Sequence, residues 1–216
     1  MSTPPVLPRP AVDAAVSAER HRLADSVADL TDEQWATPSL CAAWTVRDVV
    51  AHLTVTTRVT VPRLLRGAVR ARGSFDRLTI ELAAERAAGY SPGKLVAQLR
   101  ESAASNRRMP GSSPMDPLMD LVVHAQDVAR PLGRRHVSPP DVVAACLAYV
   151  APNRFMGGPQ RLAGVRLVST DTGWTHGDGA ELRGPDIDLL LVAAGRRAGL
   201  DGLEGPGAQV LAERLG

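Results

Sequence analysis

The chain has 216 residues, 44% hydrophobic and 22% charged, enough for one sizeable core or a medium domain with a smaller companion. Aromatic residues are only 3% of the total, which argues against an aromatic-rich β-sandwich and for close-packed helices of Ala, Leu and Val. A formal charge of +2, with acids interleaved among the bases, excludes the basic stripe of a nucleic-acid binder.

The four prolines within residues 1–10 predict an extended, disordered lead-in. From Ala11 to Leu30, Val12, Val16, Leu23, Val27 and Leu30 recur near helical spacing. A short helical turn follows at Thr31, ended by Pro38. Thr45-Val-Arg-Asp48 has the spacing of a capping box, with Asp in place of the usual Glu, and opens a helix that runs past His52 until Pro62 bends or ends it. Residues 76–88 and 92–108 read as two further helices, and 118–130 and 140–150 as two more, separated by Pro- and Gly-rich breaks. After Pro152 the texture changes. Residues 165–170 alternate with period two and predict a strand, 180–183 a second short one, 185–198 an apolar helix and 208–215 a last short helix. The expected organisation is a helical bundle over 11–152 and a small α/β domain over 160–216.

Cys41 and Cys146 form neither a disulfide framework nor a pair at metal spacing. The start of the chain lacks the apolar stretch of a signal peptide, and no apolar run approaches the roughly 18 residues needed to span a bilayer. A soluble, cytoplasmic protein without membrane or nucleic-acid partners is the expectation.

The chemistry-bearing residues are His52, on the helix opened by Thr45, and Asp120 and His124, four apart on the helix over 118–130. Residues four apart project from one helix face, and here they border the apolar stripe of Leu118, Leu121, Val122, Ala125 and Val128. His52 borders the stripe of Val46, Val49, Val50 and Leu53 in the same way. Two imidazoles and a carboxylate, with a position left open, make a ligand set of catalytic type. Spacing alone leaves open an ordinary Asp–His ion pair and a packed histidine. Asp127, three residues after His124, either orients the imidazole from behind or is a solvated helix charge. His176 lies in a turn, His21 and His136 lie among arginines and read as surface, and Cys41 reads as a small packing residue rather than a nucleophile.

The segment Trp44-Thr-Val-Arg-Asp-Val-Val-Ala-His52-Leu resembles the signature helix of the mycothiol-dependent maleylpyruvate isomerase family. Asp120-Leu-Val-Val-His124-Ala-Gln-Asp127 is similar to that family's second motif, and Gly164–Gly179 with Arg183-Gly-Pro185 resembles its small C-terminal domain. The resemblance covers residues 11–215. It implies a mainly α fold, a DinB-like four-helix bundle followed by a small α/β C-terminal domain, with His52, Asp120 and His124 holding zinc or another divalent metal. It further implies a thiol-dependent isomerase or S-transferase, with mycothiol as co-substrate acting on a small electrophile. Arg196, after the apolar C-terminal helix, is a candidate for binding a substrate carboxylate, with Arg197 beside it. The family pattern has glutamate where Asp120 stands, so this carboxylate reaches one methylene less far. The rival readings are a metal-dependent hydrolase and a non-catalytic small-molecule-binding protein.

Overall fold

The computed structural model describes residues 6–70, 72, 74–109 and 111–216. They form two compact units, Val12–His136 and Val137–Gly216, with residues 6–11 grouped with the second.

The first unit is helical. It contains most of α1 (Arg9–Ser26), then α2 (Asp32–Trp35), α3 (Val46–Arg58), α4 (Val61–Arg70), α5 (Phe75–Gly89), α6 (Pro92–Glu101) and α7 (Met115–Ala129). The expected lead-in is shorter than ten residues, because α1 already begins at Arg9; residues 1–5 lie outside the described residues. Its apolar spacing buries Val12, Val16, Leu23 and Val27. The capping box that opens α3 is present: the Thr45 and Asp48 backbone N–H groups each find the other's side chain, at 2.9 Å and 3.3 Å. Helix α3 packs against α5, α6 and α7, and its Val46, Val49, Val50 and Ala51 are fully buried. It stops at Arg58, and Pro62 falls in the first turn of α4, where a missing N–H is harmless.

Helix α6 ends at Glu101, well before the expected residue 108. The cause is the buried Arg20 guanidinium, which donates to the carbonyls of Ser102 at 2.7 Å and Ser105 at 2.8 Å. A continued helix would need those carbonyls for its own ladder.

The second unit contains α8 (Pro140–Val150), α9 (Gly158–Arg161), β1 (Val165–Ser169), β2 (Thr175–His176), β3 (Ala180–Gly184), α10 (Asp186–Ala193), a 3-10 helix (Arg197–Gly202) and α11 (Gly207–Leu215). The sheet order is β2-β1-β3, with β1 antiparallel to β2 and parallel to β3. The pairing Leu167 with His176 adds a strand that two residues could not announce in sequence. Gly177 and Gly179 turn the chain from β2 into β3 at φ 81° and 121°. A Cβ on Gly177 would stand 2.5 Å from the Val165 carbonyl oxygen, so glycine is required there on two counts.

Two sequence expectations change here. Helix α8 groups with this unit and not with the bundle, because its apolar face packs on α10, so the boundary moves from 152 to between His136 and Val137. The C-terminal apolar helix closes at Ala193 and not at 198. Gly195, at φ 86°, lets the Arg196 N–H return to the Leu191 carbonyl at 2.8 Å, a left-handed helix stop.

Among the described residues no helix is long and apolar enough to cross a membrane.

Candidate metal centre

The centre is assembled within the helical unit from α3 and α7. The buried stripe of α3 carries His52 at its edge, and that of α7, with Leu118, Leu121, Val122, Ala125 and Val128 all buried, carries Asp120 and His124. Packing the two stripes together brings the three polar side chains to one place, as ligand sites in helical bundles are built.

Asp120 lies between the two imidazoles. Its Oδ2 is 3.2 Å from His52 Nε2 and its Oδ1 is 3.3 Å from His124 Nε2. One ligand atom from each residue can be chosen so that all lie within 4.8 Å of one another. A tetrahedral ion with bonds of 2.0–2.2 Å separates its ligand atoms by roughly 3.3–3.6 Å. The donor set of two nitrogens and a carboxylate, at this spacing, fits a divalent transition metal. The shorter carboxylate at position 120 therefore reaches both imidazoles. Among the described residues this is the one cluster of three or more His, Cys, Asp or Glu with such geometry.

Asp127 is fully buried, with no exposed surface, which overturns the solvated-charge alternative. Its Oδ2 lies 2.8 Å from His124 Nδ1. By accepting a hydrogen bond from Nδ1–H it leaves Nε2, turned to Asp120, as the nitrogen that an ion would bind once its proton is displaced. Its backbone carbonyl meanwhile accepts the Leu40 N–H at 3.2 Å, tying the loop before α3 to α7.

The electrostatics follow from this packing. For Asp120, burial opposes ionisation, but the His52 and His124 charges and hydrogen bonds prevail and hold its carboxyl far below the usual carboxylate range. For His124, burial disfavours the charge, and the Asp120 and Asp127 carboxylates outweigh it, pushing the imidazole up to about 9. At neutral pH Asp120 and His124 thus form an ion pair, and an ion binding between them must displace the His124 proton. We expect affinity for zinc to fall about tenfold per unit of acidification below about pH 9 from this group alone. Chelator-competition titrations at pH 6.5, 7.5 and 8.5 check the slope, and a flat profile would show that His124 is not a ligand.

The other residues singled out in the sequence are placed by their own local contacts. His21 is exposed, as expected. His136 is not a surface residue: its side chain is buried, with Nε2 3.0 Å from the buried Glu19 carboxylate. That pairing spans 117 positions and has no local signature. His176 belongs to the second unit, stacked on Trp174 with ring centroids 5.5 Å apart, and burial lowers its pKa. Cys41 is half-buried in the loop before α3, where its carbonyl accepts the Trp44 N–H at 3.1 Å. Arg196 also belongs to the second unit, where its guanidinium donates to the Ala194 carbonyl at 2.7 Å, and Arg197 donates to Ala212 at 2.9 Å. The residue that sequence reasoning left without a role is Trp44. Its ring centroid lies 5.0 Å from that of His52 and 5.9 Å from that of His124. Its place immediately before the capping box was the available signal.

Comparison with known proteins agrees with this architecture. The family described as mycothiol maleylpyruvate isomerase N-terminal domain matches residues 16–116, and the MDMPI C-terminal domain matches residues 138–214. The first match includes His52 and stops before Asp120. No sequence match is found among curated proteins. Among solved structures, the chain is similar to a mycothiol-dependent maleylpyruvate isomerase, with a TM-score of 0.63 at 16% identity, covering 96% of this chain and 97% of that one. It is likewise similar to a histidine-to-alanine mutant of such an isomerase, with a TM-score of 0.64 at 15% identity and the same coverage. Both halves of the chain, in order and over most of its length, match one family: the chain belongs to the mycothiol-dependent maleylpyruvate isomerase family.

Proposed function

We propose that this protein is a zinc-dependent enzyme that uses a low-molecular-weight thiol, mycothiol, to isomerise or S-transfer to a small electrophilic substrate. The observation that carries the reading is the convergence of His52, Asp120 and His124 on one point, with Asp127 buried behind His124. Membership of the family supports the choice of thiol and of an isomerase reaction. In this reading His52, Asp120 and His124 are the protein ligands, and three ligands leave room for an exchangeable fourth. Asp127 holds the His124 tautomer. A divalent ion bound there supplies the acidity that makes a thiol a thiolate at neutral pH, a nucleophile able to add reversibly to a conjugated electrophile.

The test is metal analysis of the purified protein beside a His52→Ala, His124→Ala double variant, followed by assay of maleylpyruvate with and without mycothiol. About one zinc per chain, lost in the variant, with thiol-dependent turnover is the expected result. Metal-dependent turnover that ignores the thiol would point to water as the nucleophile and to a hydrolase. A wild-type protein that takes up no metal even after reconstitution with zinc would overturn the reading.

A further inference from the structure

The two imidazoles of the centre are held in different ways. His124 is fixed from behind by the buried Asp127 carboxylate. His52 has no equivalent: its Nδ1 is buried and makes no hydrogen bond among the described residues, while Asp120 engages only the Nε2 side. A ligating histidine ordinarily gives its second nitrogen to an acceptor, which sets the tautomer and the ring orientation. What His52 has instead is the Trp44 indole, 5.0 Å away between centroids and tilted by 43°.

Trp44 is itself held firmly. The Ser39 N–H donates to the Trp44 carbonyl at 2.9 Å, and the Trp44 N–H donates to the Cys41 carbonyl at 3.1 Å. The Leu40 N–H anchors the same loop to the main chain of Asp127, the residue whose side chain orients His124. Just before the indole, Ala43 adopts φ 65°, a left-handed conformation that a side chain disfavours. A strained residue of this kind persists where its surroundings over-determine it, and here it precedes a bulky ring that is turned inward and only 8% exposed.

We propose that Trp44 is the positioning residue of His52, its indole doing by packing what Asp127 does for His124 by hydrogen bonding. The proposal rests on the metal reading above, with His52 as a ligand. Contact with the flat indole restricts rotation of the imidazole about its side-chain bonds, keeping Nε2 turned to Asp120. His52 is then the ligand whose hold depends on an aromatic neighbour.

The experiment is a cobalt(II) titration of metal-free wild type, W44F and W44L, with a competing chelator and with absorption recorded throughout. The melting curve of each metal-free protein is recorded to establish that it folds. W44F keeps a ring face, and its affinity should lie within about threefold of wild type, whereas W44L should bind about 10–100-fold more weakly. The cobalt absorption of W44L should shift toward that of H52A. Placed in an H52A background, W44L should cost no further affinity, because its effect passes through His52. Wild-type binding by W44L, equal weakening in W44F and W44L, or an undiminished loss in the H52A background would each overturn the role. If W44L does not fold, W44M takes its place in the same comparison. Failure of wild type to bind cobalt or zinc would overturn the metal reading itself and the Trp44 role with it, so the wild-type trace separates the two failures.

Discussion

Replacing Asp120 by alanine is expected to abolish stoichiometric metal binding and, with it, any thiol-dependent turnover. Asp120 is the one anionic donor between two imidazoles, 3.2 Å and 3.3 Å from their Nε2 atoms. In the proposed centre its removal leaves two neutral ligands and no anionic one to offset the charge of the cation. The metal-free protein should report the same change through pH. In wild type the His124 pKa is raised to about 9, so the ion pair stabilises the fold fully below the unfolded value of 6.5. That contribution is lost as pH rises through about 9. Asp120 has the opposite sign: its depressed pKa stabilises above the ordinary carboxylate range and is lost in strong acid. D120A should therefore be less stable than wild type at pH 6, by at most about 3 kcal/mol, with the gap closing toward pH 9. Part of that loss is offset because a partly buried carboxylate no longer has to be desolvated. Thermal melting at pH 6 and pH 9, with and without zinc, measures both effects. Zinc should raise the melting temperature of wild type and leave that of D120A unmoved. A D120A protein that still gains stability from zinc would place the ion elsewhere.

The second large effect is expected at Asp127, which touches no ion in the proposed arrangement. Its carboxylate is fully buried and accepts a hydrogen bond from His124 Nδ1–H at 2.8 Å. In Asp127→Ala that N–H stays buried without this acceptor, at a cost of about 1–3 kcal/mol in stability. The tautomer that presents Nε2 to an ion also loses its support, so zinc affinity should fall about 10–100-fold. Asp127→Asn separates the two terms. An amide oxygen can still accept the hydrogen bond, so stability should recover more than affinity, which also depends on the lost negative charge. Denaturant melts and chelator competition on the two variants check this ordering. Equal affinity in all three proteins would reduce Asp127 to a packing residue with a buried charge.

Both effects depend on a residue that local sequence could only half interpret. The i, i+4 and i+7 positions of Asp120, His124 and Asp127 are set by helix periodicity, so their shared face was legible once the helix was recognised. Whether Asp127 faced solvent or protein was not legible, because that depends on which element covers that side of α7. The loop carrying Leu40 and Trp44 lies on it, through a hydrogen bond spanning 87 positions in the chain. Trp44 stood in a recognisable motif, yet its contact with two imidazoles depends on the left-handed turn at Ala43, a conformation no alanine advertises. His136 shows the same limit from the other side. Neighbouring arginines suggested a surface, and its actual partner is Glu19 on α1.

What the sequence alone determined is local and periodic. The Thr45–Asp48 capping box set the start of α3, the apolar spacing set the buried faces of α1, α3 and α7, and helix geometry put Asp120 one turn from His124. The helical first part, the small α/β second part and the resemblance carried by two helix motifs came from the same source. The tertiary structure decided what required distant segments to meet. It brought His52 to Asp120 across 68 positions, ended α6 where Arg20 claims its carbonyls, and moved α8 out of the bundle onto α10. Side-chain periodicity is written along one helix, whereas the choice of facing helix is made by packing complementarity over the whole core, which no short stretch of sequence encodes.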